Sequence, residues 1–284
     1  MIGGISADMN LLQSLLFGLI SGLSDILPVS SQAHKAMLLK LFGVNAEAPL
    51  MRLFIHAGIL AALYYCCANQ IMRYSRQLRL SRIPKKKRKR PLDIRTLMEF
   101  KLLKMMVIPV LLGLFFYQNT VAWGTKLQLM AIFLLINGAI LFMPSLLPTG
   151  NKDARNMSSL NGLLIGVGGA LSVIPGISAI GGANAVASAC GADRTFSLNL
   201  TFLMNMVLTI ALIAFDFAAV YASGANNLSF FVLLTYFISG VAAFGGAFLG
   251  IQTMRALAVN IGFNIFAFYS FGAALFSFVL YLMV

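Results

Sequence analysis

Residues 263–284 contain no charged side chain, and residues 211–220 contain one, Asp216. Crossing the hydrocarbon core of a bilayer takes about 20 consecutive apolar residues, and several stretches of this chain reach that length. Overall, 60% of the 284 residues are hydrophobic and 10% are charged, whereas a soluble domain is about 25% charged. Short strands of alternating polarity are absent, which argues against an outer-membrane barrel. The expected class is therefore an all-α integral membrane protein forming a single membrane domain over 1–284.

Charge is unevenly placed. Of the 21 Lys and Arg residues, 13 lie between Arg73 and Lys104, centred on Pro84-Lys85-Lys86-Lys87-Arg88-Lys89-Arg90-Pro91. Such a run suits an anionic-lipid or nucleic-acid surface, or simply a cytoplasmic loop of the positive-inside kind. Its position between two apolar spans favours the loop, over 70–99, and no nucleic-acid partner is expected. With no Lys or Arg before Lys35, a cleaved signal peptide is not expected either. Cys66, Cys67 and Cys190 lie in apolar stretches and match no zinc spacing, so they read as small packing residues.

Six segments read as full spans: 50–69, 100–118, 126–144, 196–220, 228–251 and 262–283. Two others are interrupted. Residues 9–43 are broken by Asp25, Pro28, Ser30, Ser31 and His34, and 160–191 by Pro175, Gly176, Ser178, Gly181 and Gly182. Two short apolar helices around a polar elbow are the pattern of a re-entrant hairpin. Irregular backbone at that depth must be covered by protein or line a wet cavity. The order hairpin, three spans, hairpin, three spans reads as two repeats, 9–144 and 160–283, and an odd span count inverts the second. With the 70–99 loop inside, Lys152, Arg155, Arg194 and Arg255 also fall inside and Glu47 outside. Lys126 is the one basic residue near an outer span end, and both termini fall outside.

Inverted hairpins would bring their elbows together near the midplane. Each elbow opens a short helix, near Ser30–Ser31 and near Ser178. Helix N-termini carry unpaired N–H groups and partial positive charge, so two aimed at one point form an anion site. Asp25 is costly in an apolar segment, about 2.5–3.5 kcal/mol, and is a candidate proton acceptor or metal ligand unless it simply pairs with Lys35 or His34. Ser30, Ser31 and Ser178 suit both helix capping and phosphate binding. His56 reads as a structural hydrogen-bonder, and Asp216 as a secondary candidate for a polar pathway. The glycine-rich stretches at 166–169 and 240–250 read as close helix packing; with no preceding strand they are not dinucleotide loops.

The first elbow reads Ser21-Gly22-Leu23-Ser24-Asp25-Ile26-Leu27-Pro28-Val29-Ser30-Ser31-Gln32-Ala33-His34, and the second Ile174-Pro175-Gly176-Ile177-Ser178-Ala179-Ile180-Gly181-Gly182-Ala183-Asn184. These resemble the integral-membrane undecaprenyl-pyrophosphate phosphatases, also called bacitracin-resistance proteins. Their motifs run Glu-Gly-x-Thr-Glu-Phe-Leu-Pro-Val-Ser-Ser-x-Gly-His and Pro-Gly-x-Ser-Arg-Ser-Gly-Ala-Thr. The resemblance continues through Phe54-Ile55-His56-Ala57-Gly58, Asp193-Arg194 and Phe266-Ala267-Phe268-Tyr269. It implies catalytic roles for Asp25, Ser31 and His34, and substrate binding by Ser30, Ser178, Gly176, Gly181 and Asn184. Asp25 is also the candidate ligand for Mg²⁺ or Ca²⁺.

The departures are Ser21 where the family has a glutamate and Ala179 where it has an arginine. Arg52, Lys35 or a metal would have to supply the missing charge. The implied activity is dephosphorylation of a polyprenyl pyrophosphate carrier in the bacterial cytoplasmic (inner) membrane. The alternative is a hydrolysis-deficient relative that binds or flips polyprenyl phosphate or another anionic lipid. Expected partners are that lipid and the surrounding membrane lipids, with a homodimer left open.

Overall fold

The computed structural model describes residues 9–223, 229–260 and 263–283. Among the described residues the chain is helical, without a named strand. Its helices are α1 (Leu11–Ile26), α2 (Ser31–Phe42), α3 (Pro49–Ser81), α4 (Ile94–Gly113), the short α5 (Tyr117–Val121), α6 (Leu127–Phe142), α7 (Ser159–Ala170), α8 (Ala179–Ala189), α9 (Arg194–Ser223), α10 (Phe230–Asn260) and α11 (Ile265–Met283). Five are long and apolar enough to cross a membrane: α3, α9, α10, α11 and α6 with the turn that follows it. The protein is a membrane protein.

Local chemistry sets the helix ends. Asn10 and Gln13 form a reciprocal capping box at the start of α1, as Ser158 and Asn161 do for α7. α1 stops at Leu27, which is extended because Pro28 follows it. α7 tightens into a 3₁₀ turn at Leu171–Val173 and ends before Pro175. Ser30 caps α2 and Ser178 caps α8, each accepting a backbone N–H of the first turn. Both interrupted segments are thus helix–elbow–helix units.

The segment expected to span at 100–118 differs. Its helix begins at Ile94, where Asp93 accepts the Thr96 N–H at 3.2 Å, and ends at Gly113. Arg95, Glu99, Lys101 and Lys104 on it keep it outside the set of strongly apolar spans. Opposite it, α3 continues to Ser81, well past 69, because Arg73 pairs with Glu99 and Gln77 accepts the Asp93 N–H at 3.1 Å.

α1 lies against α10, and α7 against α4; α3 meets α9 and α10, and α6 meets α11. The α1–α10 contact is backbone on backbone. A Cβ added at Gly18 would fall 2.1 Å from the Ser239 carbonyl, and one at Gly22 would fall 2.0 Å from that of Ala243. Small residues permit such approaches between helices in lipid, where apolar burial contributes little to association. Large apolar side chains such as Leu12, Phe115, Phe231 and Leu282 face outward, while Ser14, Asn137, Thr201 and Asn205 are buried. That distribution suits a hydrocarbon surrounding.

Candidate functional site

The two elbows meet. Asn137 of α6, fully buried, donates from Nδ2 to the Pro28 carbonyl at 3.1 Å and to Ser270 Oγ at 3.0 Å, and its Oδ1 accepts the Ser178 N–H at 3.0 Å. One side chain therefore ties the first elbow, the second elbow and α11. Thr120 adds a further tie, donating to the Val173 carbonyl at 2.7 Å.

Between the elbows lies a cavity of about 60 Å³. Its polar lining is Ser24, Asp25, Ser30, Ser31, Gln32, Tyr117, Ser172, Ser178 and Asn205; Val110, Leu114, Ile177, Leu208 and Leu212 supply its apolar walls. Asp25 is its only carboxylate, and it has no basic residue among the described lining residues. Asn205 Nδ2 donates to Asp25 Oδ2 at 3.0 Å, which holds the carboxylate against α9. The starts of α2 (Ser31, Gln32) and α8 (Ala179) both border this space.

Ser30 has φ +66°, the only non-glycine residue with positive φ among those described. A side chain there costs of order 1–3 kcal/mol, and such strain persists only where surroundings enforce it. His34 is the enforcer. Its Nδ1 donates to the Ser30 carbonyl at 2.8 Å, which makes Nε2 the acceptor for the Tyr269 hydroxyl at 2.7 Å. The two rings stack with centroids 5.7 Å apart.

The structure brings Asp25, Ser30, Ser31 and Ser178 to one cavity, but not the remaining candidates. His34 borders a separate, mostly apolar cavity of about 590 Å³ between the first hairpin and α11, with both ring nitrogens bonded to protein. Asn184 is turned away: its amide bonds to the Ile180 carbonyl, Thr201 and Ser197, joining α8 to α9. Gly176 has φ +104°, a turn position closed to other residues, and its added Cβ would strike Phe133. Gly181 packs under Pro28 and Leu141. These two glycines shape the elbow and do not line the cavity. For metals, no group of three His, Cys, Asp or Glu able to hold an ion occurs among the described residues.

The sequence reading missed Asn137 and Asn205, and named Tyr269 only within the resemblance, without a role. The available signal was an amide in the middle of an apolar run, as in Leu135-Ile136-Asn137-Gly138 and Leu203-Met204-Asn205-Met206; such a group must find partners once buried. Beyond the cavity, Asp216 on α9 accepts Arg52 Nε on one oxygen and His56 Nδ1 on the other. Lys35 lies 3.6 Å from Glu47.

Residues 14–276 match the family model of the bacitracin resistance protein BacA. The undecaprenyl-diphosphatase of Carboxydothermus hydrogenoformans is 26% identical, covering 92% of this chain and 94% of its own length. That of Thermosipho africanus is 25% identical over 93% and 98%, and that of Alkaliphilus metalliredigens is 24% identical over 83% and 88%. Since the match takes in both elbows and all of the helices between them, the chain belongs to the bacitracin resistance protein BacA family.

Proposed function

We propose that the protein is an undecaprenyl pyrophosphate phosphatase of the bacterial cytoplasmic membrane, acting where its two elbows meet. The observation that carries this reading is the shared cavity: Asp25, Ser31 and Ser178 and the starts of two helices border one polar space, in a family whose named relatives are undecaprenyl-diphosphatases. In this reading 9–144 and 160–283 are inverted repeats, with the hairpins entering from opposite leaflets and both termini outside. The helix pairing supports it, because exchanging the halves turns the α1–α10 contact into α7–α4 and leaves α3–α9 and α6–α11 unchanged.

The chemistry follows from the lining. The diphosphate enters with its oxygens toward the α2 and α8 starts, where unpaired N–H groups favour an anion. The Ser31 hydroxyl attacks the terminal phosphorus and Asp25 takes its proton. The bond from that phosphorus to the bridging oxygen breaks, and undecaprenyl phosphate leaves with that oxygen. Water then hydrolyses the phosphoserine, freeing inorganic phosphate. His34 acts through Ser30, whose carbonyl it binds, and so positions the residue before the nucleophile. A divalent ion would fit only in company with substrate. Asp25 is the one carboxylate present, which suits Mg²⁺ bound by a single carboxylate plus phosphate oxygens better than a Ca²⁺ cage. Such an ion would neutralise phosphate charge.

The test is phosphate release from undecaprenyl pyrophosphate by purified protein. Asp25→Asn keeps the Asn205 contact region polar but removes the base, and should lower kcat about 10²–10⁴-fold. Release by the wild type no faster than by Asp25→Asn would defeat the reading.

A further inference from the structure

The cavity has one carboxylate and, among its described lining residues, no cation. A diphosphate brings negative charge, and phosphoryl transfer spreads that charge over oxygens that must be stabilised. A neighbouring side chain is one source of the positive charge needed at the cavity mouth, and an ion brought with substrate is the other.

One wall leads to such a group. Asn205, Leu208 and Leu212 of α9 line the cavity, and Asp216 follows one turn later on the same face. Asp216 is buried, 3% exposed, and holds Arg52 Nε and His56 Nδ1 on its two oxygens. Arg52 and His56 are one turn apart on α3. The Nε bond fixes the guanidinium plane, yet the two terminal nitrogens donate no hydrogen bond to any described residue. The side chain is 26% exposed, so part of it is open to an arriving ligand. Tyr117, which lines the cavity, lies near Arg52, Glu47 and Asp216.

Lys35, the other nearby cation, is one turn beyond Ser31 on α2, buried and 3.6 Å from Glu47, a carboxylate that also lies near Arg52. Arg52 is the more exposed of the two, its side chain 26% accessible against 10% for Lys35. A planar fork held at Nε and free at its terminal nitrogens is suited to two phosphate oxygens.

We infer that Arg52, oriented by Asp216 with His56 on its far oxygen, meets the phosphate oxygens at the cavity mouth and supplies the positive charge that neither elbow carries. The assignment rests on the phosphatase reading. Arg52 is then a binding residue that touches substrate, and Asp216 a positioning residue.

The test separates binding from turnover. Farnesyl pyrophosphate binding to detergent-purified protein is measured by calorimetry for the wild type, Arg52→Ala, Arg52→Lys and Asp216→Asn, with melting temperatures and phosphate release in parallel. Losing charge-assisted bonds should weaken diphosphate binding by Arg52→Ala roughly 10- to 100-fold. Arg52→Lys should recover part of the loss, and added guanidinium ion should restore part of the Arg52→Ala affinity. Asp216→Asn should raise KM more than it lowers kcat. An Arg52→Ala protein that melts lower but binds the diphosphate as tightly as wild type would mean that the pair only clamps α3 to α9, and would overturn the inference. So would a wild type that does not bind the diphosphate. A wild type that binds through Arg52 yet releases no phosphate would leave this assignment standing and remove the phosphatase reading.

Discussion

Replacing Gly22 by alanine would put a methyl carbon 2.0 Å from the Ala243 carbonyl oxygen, where ordinary contact begins at 3.4 Å. The deficit is about 1.4 Å, and it faces backbone, which has no rotamer to yield. α1 and α10 must part. The same seam includes Gly18, 2.1 Å from the Ser239 carbonyl, and Gly246, 2.1 Å from that of Leu19, so the separation also loosens its neighbours. Overpacking of this kind costs about 1–3 kcal/mol, and backbone on both sides places Gly22→Ala toward the upper end. Asp25 lies three residues on, roughly 4.5 Å along the helix axis, and its bond from Asn205 is 3.0 Å long. A shift of about 1 Å breaks that bond, and misplacement on this scale in a catalytic group costs about 10²-fold in rate. The assay is phosphate release beside thermal unfolding in detergent. Gly245→Ala serves as the control, because nothing lies within 4 Å of its added carbon on the same helix α10. A Gly22→Ala protein with unchanged kcat and unchanged melting would refute the claim that the seam sets the carboxylate's position.

Two further outcomes follow from buried or capping polar groups. Asn137→Leu removes all of that side chain's bonds and leaves the Ser178 N–H and the Pro28 carbonyl unpaired; at about 1–3 kcal/mol per orphaned group, unfolding should ease by about 2–6 kcal/mol, and a variant as stable as wild type in a denaturant titration would contradict the junction. At the start of α4, the Thr96 hydroxyl and then the Thr96 N–H hold the Asp93 carboxyl below its ordinary value. A depressed folded value means the cap's stabilisation is complete above an unfolded value of about 3.9 and is lost as pH falls through the lower folded one. The protection of the Thr96 and Leu97 amides against hydrogen exchange, taken relative to intrinsic rates, should therefore fall below about pH 4, and Asp93→Asn should flatten that dependence.

The elbows were legible because their signals are local. Pro28 ends one helix and Ser30 caps the next within three residues, and Pro175 and Ser178 repeat the pattern. What faces what was not legible. Ser31 and His34 lie three residues apart on α2, yet they border different cavities because Tyr269, 235 positions away, binds the imidazole. Asn184 reads like a phosphate ligand beside Ser178, but Thr201 and Ser197 on α9 engage it. The partnership of Arg52 with Asp216 spans 164 positions. In each case the deciding contact comes from packing against another helix, about which neighbouring residues carry no signal. The second span missed its true start because the apolar run was followed and the Asp93 cap before it was not.

The single amide of Asn137 acts as a rivet through the centre of the molecule, gripping Pro28 on one side and Ser178 on the other. A machine that ferries cargo across a membrane has to let its halves slide past each other. Here sliding would break both bonds at once. Such a body suits a fixed workbench better than a carrier.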